Sequence, residues 1–258
     1  MTQGKQDRKK HDGVVMITGG SRGIGAACAR LAAAGGYAVC VNYTSHATAA
    51  EGVAGAIEAA GGRAIAVKAD VAIEADVVRL FEACDRELGR VTALINNAGV
   101  VAPAARVDQM GAARIMRLLQ VNVLGFFLAA REAVRRMSTR HGGKGGVIVN
   151  ISSAAARLGS PAEYVDYAAS KGAIDTMTLG LAKEVAGEGI RVVAIRPGLI
   201  DTDIHESQGA VGRLERLTPR IPLKRAGSAE EVAQAAVWLM GDEASYVTGT
   251  ILDVAGGR

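Results

Sequence analysis

The chain has 258 residues, of which 49% are hydrophobic, 22% charged and only 3% aromatic, with a formal net charge of +4. This is ordinary globular material, long enough for one large α/β domain with a sizeable core and too poor in aromatic rings for a base-stacking platform. Half of the positive excess lies in residues 1–13, where Lys5, Arg8, Lys9 and Lys10 outnumber Asp7 and Asp12, so the charge belongs to a flexible tail over residues 1–12 and argues against nucleic acid as a partner.

From residue 13 onward short apolar runs alternate with longer amphipathic ones. Val14–Ile17 reads as the first buried strand, and the stretch 23–35 as the first helix. Further strands are expected at Ala38–Val41, Ala64–Val67, Ala93–Ile95, Val147–Ile151, Val192–Ile195 and Thr250–Asp253. Helices are expected over 47–60, 74–88, 108–138, 165–187 and 228–240. Ser228 followed by Glu231 gives the last helix a capping box. Gly142-Gly-Lys-Gly-Gly146 reads as a loop before the fifth strand. Strands alternating with helices imply a parallel sheet wound on both faces, because parallel strands need crossovers. Seven strands without a linker-like segment argue for a single domain over residues 13–258.

The first residues lack the apolar core of a signal peptide. The most apolar stretch, Leu118 to Val134, is interrupted by Gln120, Asn122, Arg131 and Glu132, so no membrane span is expected and a cytoplasmic location is the default. Cys28, Cys40 and Cys84 show no paired spacing and read as buried small apolar residues in a reducing compartment. His11, His46, His141 and His205 form no metal-ligand pattern, so no metal is expected.

Two motifs carry chemistry. Thr18-Gly19-Gly20-Ser21-Arg22-Gly23-Ile24-Gly25 follows the first strand and opens a helix. At such a junction bare backbone lets a diphosphate approach, and the free N–H groups and positive end of the helix stabilise it. The spacing Gly-x-x-x-Gly-x-Gly differs from the commoner dinucleotide fingerprint. The second motif is Tyr167-Ala-Ala-Ser-Lys171, which sets a phenol and an ammonium on one helix face. A phenol titrates near pH 10 or so, and a fixed positive charge beside it pulls that value toward the working range. Tyr164 lacks such a partner, since the residue four places on is Ala168.

Taken in order, Thr18–Gly25, Asp70-Val71, Asn96-Asn-Ala-Gly99, Asn122, Ser152-Ser153, Tyr167-x-x-x-Lys171 and Pro197-Gly-x-x-x-Thr202 resemble the short-chain dehydrogenase/reductase family, from about residue 13 to the C-terminus. The resemblance implies a single-domain Rossmann fold with a doubly wound seven-stranded parallel sheet, and carbonyl–alcohol interconversion with a nicotinamide cofactor. It implies that Tyr167 exchanges a proton with the substrate oxygen and that Lys171 holds the nicotinamide ribose and lowers the tyrosine pKa. It assigns Ser153, with Ser152 as fallback, to the carbonyl oxygen, and Asn122 to a water that relays protons to Lys171. The other reading of Asn122 is a polar residue bonding within a helical kink. Ser153 stands fourteen residues before Tyr167, one more than relatives usually show, and the loop Arg157–Asp166 is expected to absorb the difference.

For the cofactor, the resemblance places Gly19, Ser21, Arg22, Gly23, Ile24 and Gly25 at the diphosphate and Asp70 with Val71 near the adenine. Asn97, Ala98 and Gly99 line the cofactor after the fourth strand, and Pro197, Gly198, Ile200 and Thr202 fix the nicotinamide amide. At the end of the second strand Val41-Asn42-Tyr43-Thr44-Ser45 carries no carboxylate to repel a 2′-phosphate, and Arg22 supplies a cation. NADP is therefore favoured over NAD, with Asn42 and Tyr43 at the adenosine ribose. Residues 203–220 are expected to form a variable substrate lid. Its mixture of His205, Glu206, Gln208, Arg213 and Glu215 favours a polar or small carbonyl or alcohol substrate over a steroid-like one. Both a glucose-dehydrogenase-like and a 3-oxoacyl carrier-protein reductase-like activity fit. For the latter, Arg131, Arg135, Arg136 and Arg140 offer a basic stretch to an acidic carrier, and a solvated helix face is the other account. A non-catalytic dinucleotide sensor or interaction module is the alternative of another class. Relatives imply a homotetramer.

Overall fold

The computed structural model describes residues 11–201 and 212–258. Expectations for the body of the tail, for Thr202 and for the first half of the lid lie outside the described residues. The strands are β1 (Val14–Ile17), β2 (Ala38–Tyr43), β3 (Ala64–Lys68), β4 (Ala93–Asn96), β5 (Gly146–Ile151), β6 (Ile190–Pro197) and β7 (Thr250–Val254). They form one parallel sheet in the order β3-β2-β1-β4-β5-β6-β7.

Strand residues alternate between two cores, as a period of two requires. Val15, Ile17, Val39 and Val41 face helices α1 (Gly23–Ala34), α2 (Ala47–Ala59) and α9 (Ala229–Met240). Val14, Met16, Cys40 and Leu94 face α3 (Glu74–Glu87), α5 (Gly125–Met137) and α7 (Val165–Val185). Burial on both faces explains why the strands read as continuous apolar runs. All three cysteines are free and buried.

The expected helix over 108–138 is broken. A 3-10 turn at Val107–Gln109 precedes α4 (Ala112–Leu119), and a π-turn at Gln120–Leu124 joins α4 to α5. One residue inserted into a helix leaves the apolar spacing on either side intact, so periodicity cannot register it. By length and composition alone the whole stretch Ala112–Met137 is long and apolar enough to cross a bilayer, as the core helix of a globular protein also can be. Here it lies along the sheet and buries Phe126, Ala129, Ala130 and Ala133 in the core. Periodicity also missed α6 (Ala155–Leu158) and α8 (Arg213–Leu217), each only about a turn long. His11, placed in the tail, docks: its N–H donates to Gly35 O at 3.0 Å and its ring stacks on Tyr37.

Strand order reverses direction between β1 and β4. At that switch point the connections leave to opposite sides and open a crevice beyond the carboxyl ends of the strands.

Candidate active site

A cleft of about 420 Å³ fills that crevice. Its floor begins where β1 ends. The Thr18 hydroxyl accepts the N–H groups of Asn97 at 2.9 Å and Ala98 at 3.0 Å, and the Asn97 amide donates to the carbonyls of Thr18 and Gly19, each at 3.0 Å. These bonds lock the turn after β1 to the turn after β4. Gly19 has φ +62°, and a Cβ on Gly25 would lie 2.4 Å from Gly19 O, so only bare backbone closes here. Helix α1 starts without a side-chain cap and with no acid in its first turn. Its leading N–H groups therefore have no side-chain acceptor, in a cleft lined by Gly19, Ser21, Arg22, Gly23 and Ile24. This cradle fits the diphosphate of a dinucleotide.

Helix α7 supplies the tyrosine and the lysine. Its first turn is pinned by Arg114, which donates to both oxygens of Asp166 at 2.8 and 3.4 Å and to Pro103 O at 2.6 Å. Tyr167 and Lys171 both line the cleft, with Lys171 Nζ 5.8 Å from the tyrosine ring centroid. Lys171 is only 2% exposed; its ammonium donates to Ile151 O at 2.7 Å and sits 4.8 Å from the centre of the Phe126 ring. Burial pulls its pKa down to about 8, against the opposing pull of Asp175 one turn further along the helix.

The two serines are told apart by their partners. Ser152 also lines the cleft but is 3% exposed, and its hydroxyl is turned to Asp175 Oδ1 at 2.6 Å and Lys171 O at 3.3 Å. Ser153 is half-buried, lines the cleft and accepts the Ala155 N–H at 3.1 Å. The longer connection from Ser153 to Tyr167 is taken up by α6 and a left-handed stretch with Gly159, Ser160 and Ala162 at φ +73°, +45° and +61°. Asn122 sits in the π-turn, fully buried. Its amide makes a two-way clamp on Val100, accepting the N–H at 2.8 Å and donating to the carbonyl at 2.9 Å, and it donates to Ser170 Oγ at 3.2 Å. Asn122 thus bonds at a helical irregularity, and Asn122 Oδ1 and Lys171 Nζ lie on the same side of Gly99, 3.5 and 3.7 Å from where a Cβ would sit.

Val71, Asn97, Ala98, Gly99, Tyr43, Pro197, Gly198 and Ile200 all line the cleft. Asp70 does too, with Oδ1 accepting the Ala72 N–H at 2.9 Å and Oδ2 the Arg117 guanidinium at 3.2 Å. Asn42, Gly25 and Asn122 are not among the lining residues. Asn42 is 1% exposed; its Oδ1 accepts the Gly19 N–H at 3.2 Å and its Nδ2 donates to Ala69 O at 3.0 Å. It braces the glycine turn against β2 and β3, and its amide is spent on those backbone groups and not on the cleft expected for it. A polar residue inside an apolar strand was the available signal for such a brace.

Several wall residues had no signal in the sequence. Thr44, Ser45 and His46 extend the adenosine end, Arg117 joins Asp70, and Val100, Val101, Leu158, Ser160, Tyr164 and Arg258 line the rest. The basic stretch is paired within the chain: Arg131 with Glu74 and Glu132, Arg135 with Glu132, Arg136 with Glu132 and Asp85, and Arg140 with Glu188.

This arrangement, a dinucleotide cradle beside a buried lysine and a half-buried tyrosine, fits the NAD(P)-dependent oxidoreductases acting on alcohol and carbonyl groups, to which this chain belongs. The family described as enoyl-(acyl carrier protein) reductase matches residues 19–258, and the chain belongs to the short-chain dehydrogenase/reductases. It is 54% identical over 245 residues to the uncharacterized oxidoreductase YgfF of Escherichia coli (strain K12), covering 95% of this chain and 99% of that one. It is 42% identical to 3beta-hydroxysteroid dehydrogenase 1 of Eggerthella lenta, covering 94% and 92%. Among solved structures it is similar to a short-chain dehydrogenase from Burkholderia cenocepacia J2315 in complex with NADP (TM-score 0.89, 35% identity, 97% and 99% covered). It is equally similar in fold to 3-ketoacyl-(acyl-carrier-protein) reductase from Brucella melitensis complexed with NADH (TM-score 0.89, 33% identity, 97% and 99% covered).

Proposed function

We propose that the chain interconverts a small carbonyl compound and its alcohol with NADP(H), using Tyr167 as general acid and base. The observation that carries this reading is the convergence of Tyr167, Lys171 and Ser153 on one cleft with the uncapped start of α1. When bound, the nicotinamide supplies or accepts the hydride. The Tyr167 hydroxyl donates its proton to the carbonyl oxygen in reduction and recovers it in oxidation. The Lys171 ammonium stabilises phenolate across that exchange and holds the ribose hydroxyls. The Ser153 hydroxyl donates to the substrate oxygen and aligns it with Tyr167. Asn122 holds the Val100 backbone beside Lys171 and orders the water that returns the proton.

The adenosine end supports NADP over NAD. Tyr43, Thr44, Ser45 and His46 line it without a carboxylate, Arg22 is exposed at its edge, and Asp70 is already engaged by Arg117. At the substrate end Val100, Val101, Leu158 and Tyr164 make the described wall more apolar than the lid composition suggests. A carrier-protein thioester finds less support, because the arginines that would meet an acidic carrier are all in ion pairs. A non-catalytic role is the reading of another class; a chain with that role has no use for the Tyr167–Lys171–Ser153 arrangement. A homotetramer in the cytoplasm completes the proposal.

A panel of ketones, aldehydes, sugars and alcohols, run with both cofactors, tests it. The Tyr167→Phe variant is expected to lose on the order of 10²–10⁴-fold in kcat while binding NADPH as the unmodified chain does. Full activity in that variant sinks the mechanism, and a clear preference for NADH sinks the argument from Arg22.

A further inference from the structure

One turn beyond Lys171 lies a carboxylate that the proposed chemistry does not use. Asp175 is 7% exposed, and three elements meet on it. From the end of β5, Ser152 donates to Oδ1 at 2.6 Å; from β6, Arg196 places Nε at 2.9 Å and Nη2 at 2.8 Å from Oδ2. A buried ion pair adds little net stability over apolar side chains of the same volume, so its position matters more than its energy. Tyr167, Lys171 and Asp175 are spaced four apart and share one face of α7. Among the described residues, the hydrogen bond of Lys171 Nζ goes to a neutral carbonyl, Ile151 O.

We propose that Asp175 is a positioning residue for the proton-transfer pair: its carboxylate, steadied by Arg196, keeps the Lys171 ammonium charged beneath Tyr167 and draws the Ser152 hydroxyl inward, leaving Ser153 to face the substrate. The inference rests on the reading of Tyr167 and Lys171 as the reactive pair. Burial alone works against a charged Lys171, and Asp175 opposes it. Around Lys171, α7 presents Tyr167 and Asp175, α5 the Phe126 ring, the π-turn the neutral Asn122, and β5 the Ile151 carbonyl and Ser152. Arg196 of β6 acts through Asp175 and reaches Asp253 of β7 at 3.8 Å. Arg157 of α6 lies 3.7 Å from Asp253, and Arg114 of α4 is occupied by Asp166.

Removing a negative charge lowers the pKa of a nearby ammonium and removing a cation raises it, and a phenol beside that ammonium loses or keeps its stabilising charge accordingly. Asp175→Asn is therefore expected to neutralise Lys171 at lower pH and so to shift the ionisation of Tyr167 in the cofactor-free protein, and the alkaline limb of kcat/KM for carbonyl reduction, up by about one pH unit. Arg196→Gln is expected to move both downward, and Asp175→Glu to restore the native values. Phenolate absorbance, with the Tyr167→Phe protein as blank, reads the first quantity without turnover. An unmoved midpoint in Asp175→Asn overturns the proposal, as does a loss of activity equal at every pH. Should Asp175→Asn fail to fold, the sign of the Arg196→Gln shift decides. Full turnover by Tyr167→Phe would remove the catalytic reading, yet the absorbance titration would still report whether Asp175 governs the pair.

Discussion

At the scale of single residues, Lys171 has a consequence for stability as well as chemistry. Its folded-state pKa of about 8 lies below the ordinary 10.5, so between those values the unfolded chain binds the extra proton. Stability therefore rises with pH across that window, and the full penalty is carried below it. Lys171→Met is expected to be inactive yet more stable than the native chain at neutral pH, by up to about 3 kcal/mol, with the gap closing toward pH 10. Denaturant unfolding at several pH values checks this, and a gap independent of pH would refute it. Most residues of the proposed site were legible from spacing, because Tyr167 and Lys171 share a helix face whatever else the fold does. The choice between Ser152 and Ser153 was not, since two adjacent serines at a strand end differ only in which side they face. Asn42 was misplaced for a related reason. Its position at the end of β2 was readable, but the direction of its amide depends on Gly19 and Ala69, which are distant in sequence.

At the scale of elements, the strands and long helices follow from apolar periodicity, and the capping box of α9 forms as spacing indicated, with Ser228 Oγ accepting the Glu231 N–H at 3.2 Å and Glu231 accepting the Ser228 N–H at 2.9 Å. Short turns such as α6 carry too few residues for any period to show. The glycine turn is the most constrained of these elements. A methyl at Gly25 would meet Gly19 O at 2.4 Å and Asn97 Nδ2 at 2.7 Å, and both atoms belong to the bonds that join the β1 and β4 turns. Gly25→Ala is expected to cost about 1–3 kcal/mol in stability and to weaken NADPH binding at least tenfold, measured by unfolding and by cofactor fluorescence titration. An unchanged affinity would show that the cradle tolerates displacement.

At the scale of the whole molecule, one face stands out. Met116, Leu124 and Phe127 of the α4–α5 stretch, with Leu179 of α7, are exposed large apolar side chains. Scattered apolar exposure needs no explanation by itself, and on helices of one side of the sheet it fits the association proposed above. Such a surface supports the proposed tetramer. Phe127→Glu is expected to shift the protein from tetramer to smaller species in light scattering, and a monomeric native chain would refute the assembly. The sequence could indicate helices but not their exposed faces, because apolar residues on both sides of a helix look alike until the sheet claims one side. The particular substrate lay beyond reach for another reason: the wall that would select it is assembled from Val100, from Leu158 with Tyr164, and from Arg258, three regions far apart in the chain.

The π-turn at Gln120–Leu124 bears on how this enzyme could change over evolutionary time. Point substitutions leave the surplus residue in place, and only a deletion removes it. Such a deletion would regularise the hydrogen-bond ladder but turn everything after it by about 100° relative to α4, swinging Phe126, Ala129 and Ala133 out of the core as Asn122 leaves Val100. The clamp of Asn122 on Val100 and packing of the central helix are thus tied to a single length of chain. The stretch can be rewritten letter by letter, but it can be neither shortened nor lengthened.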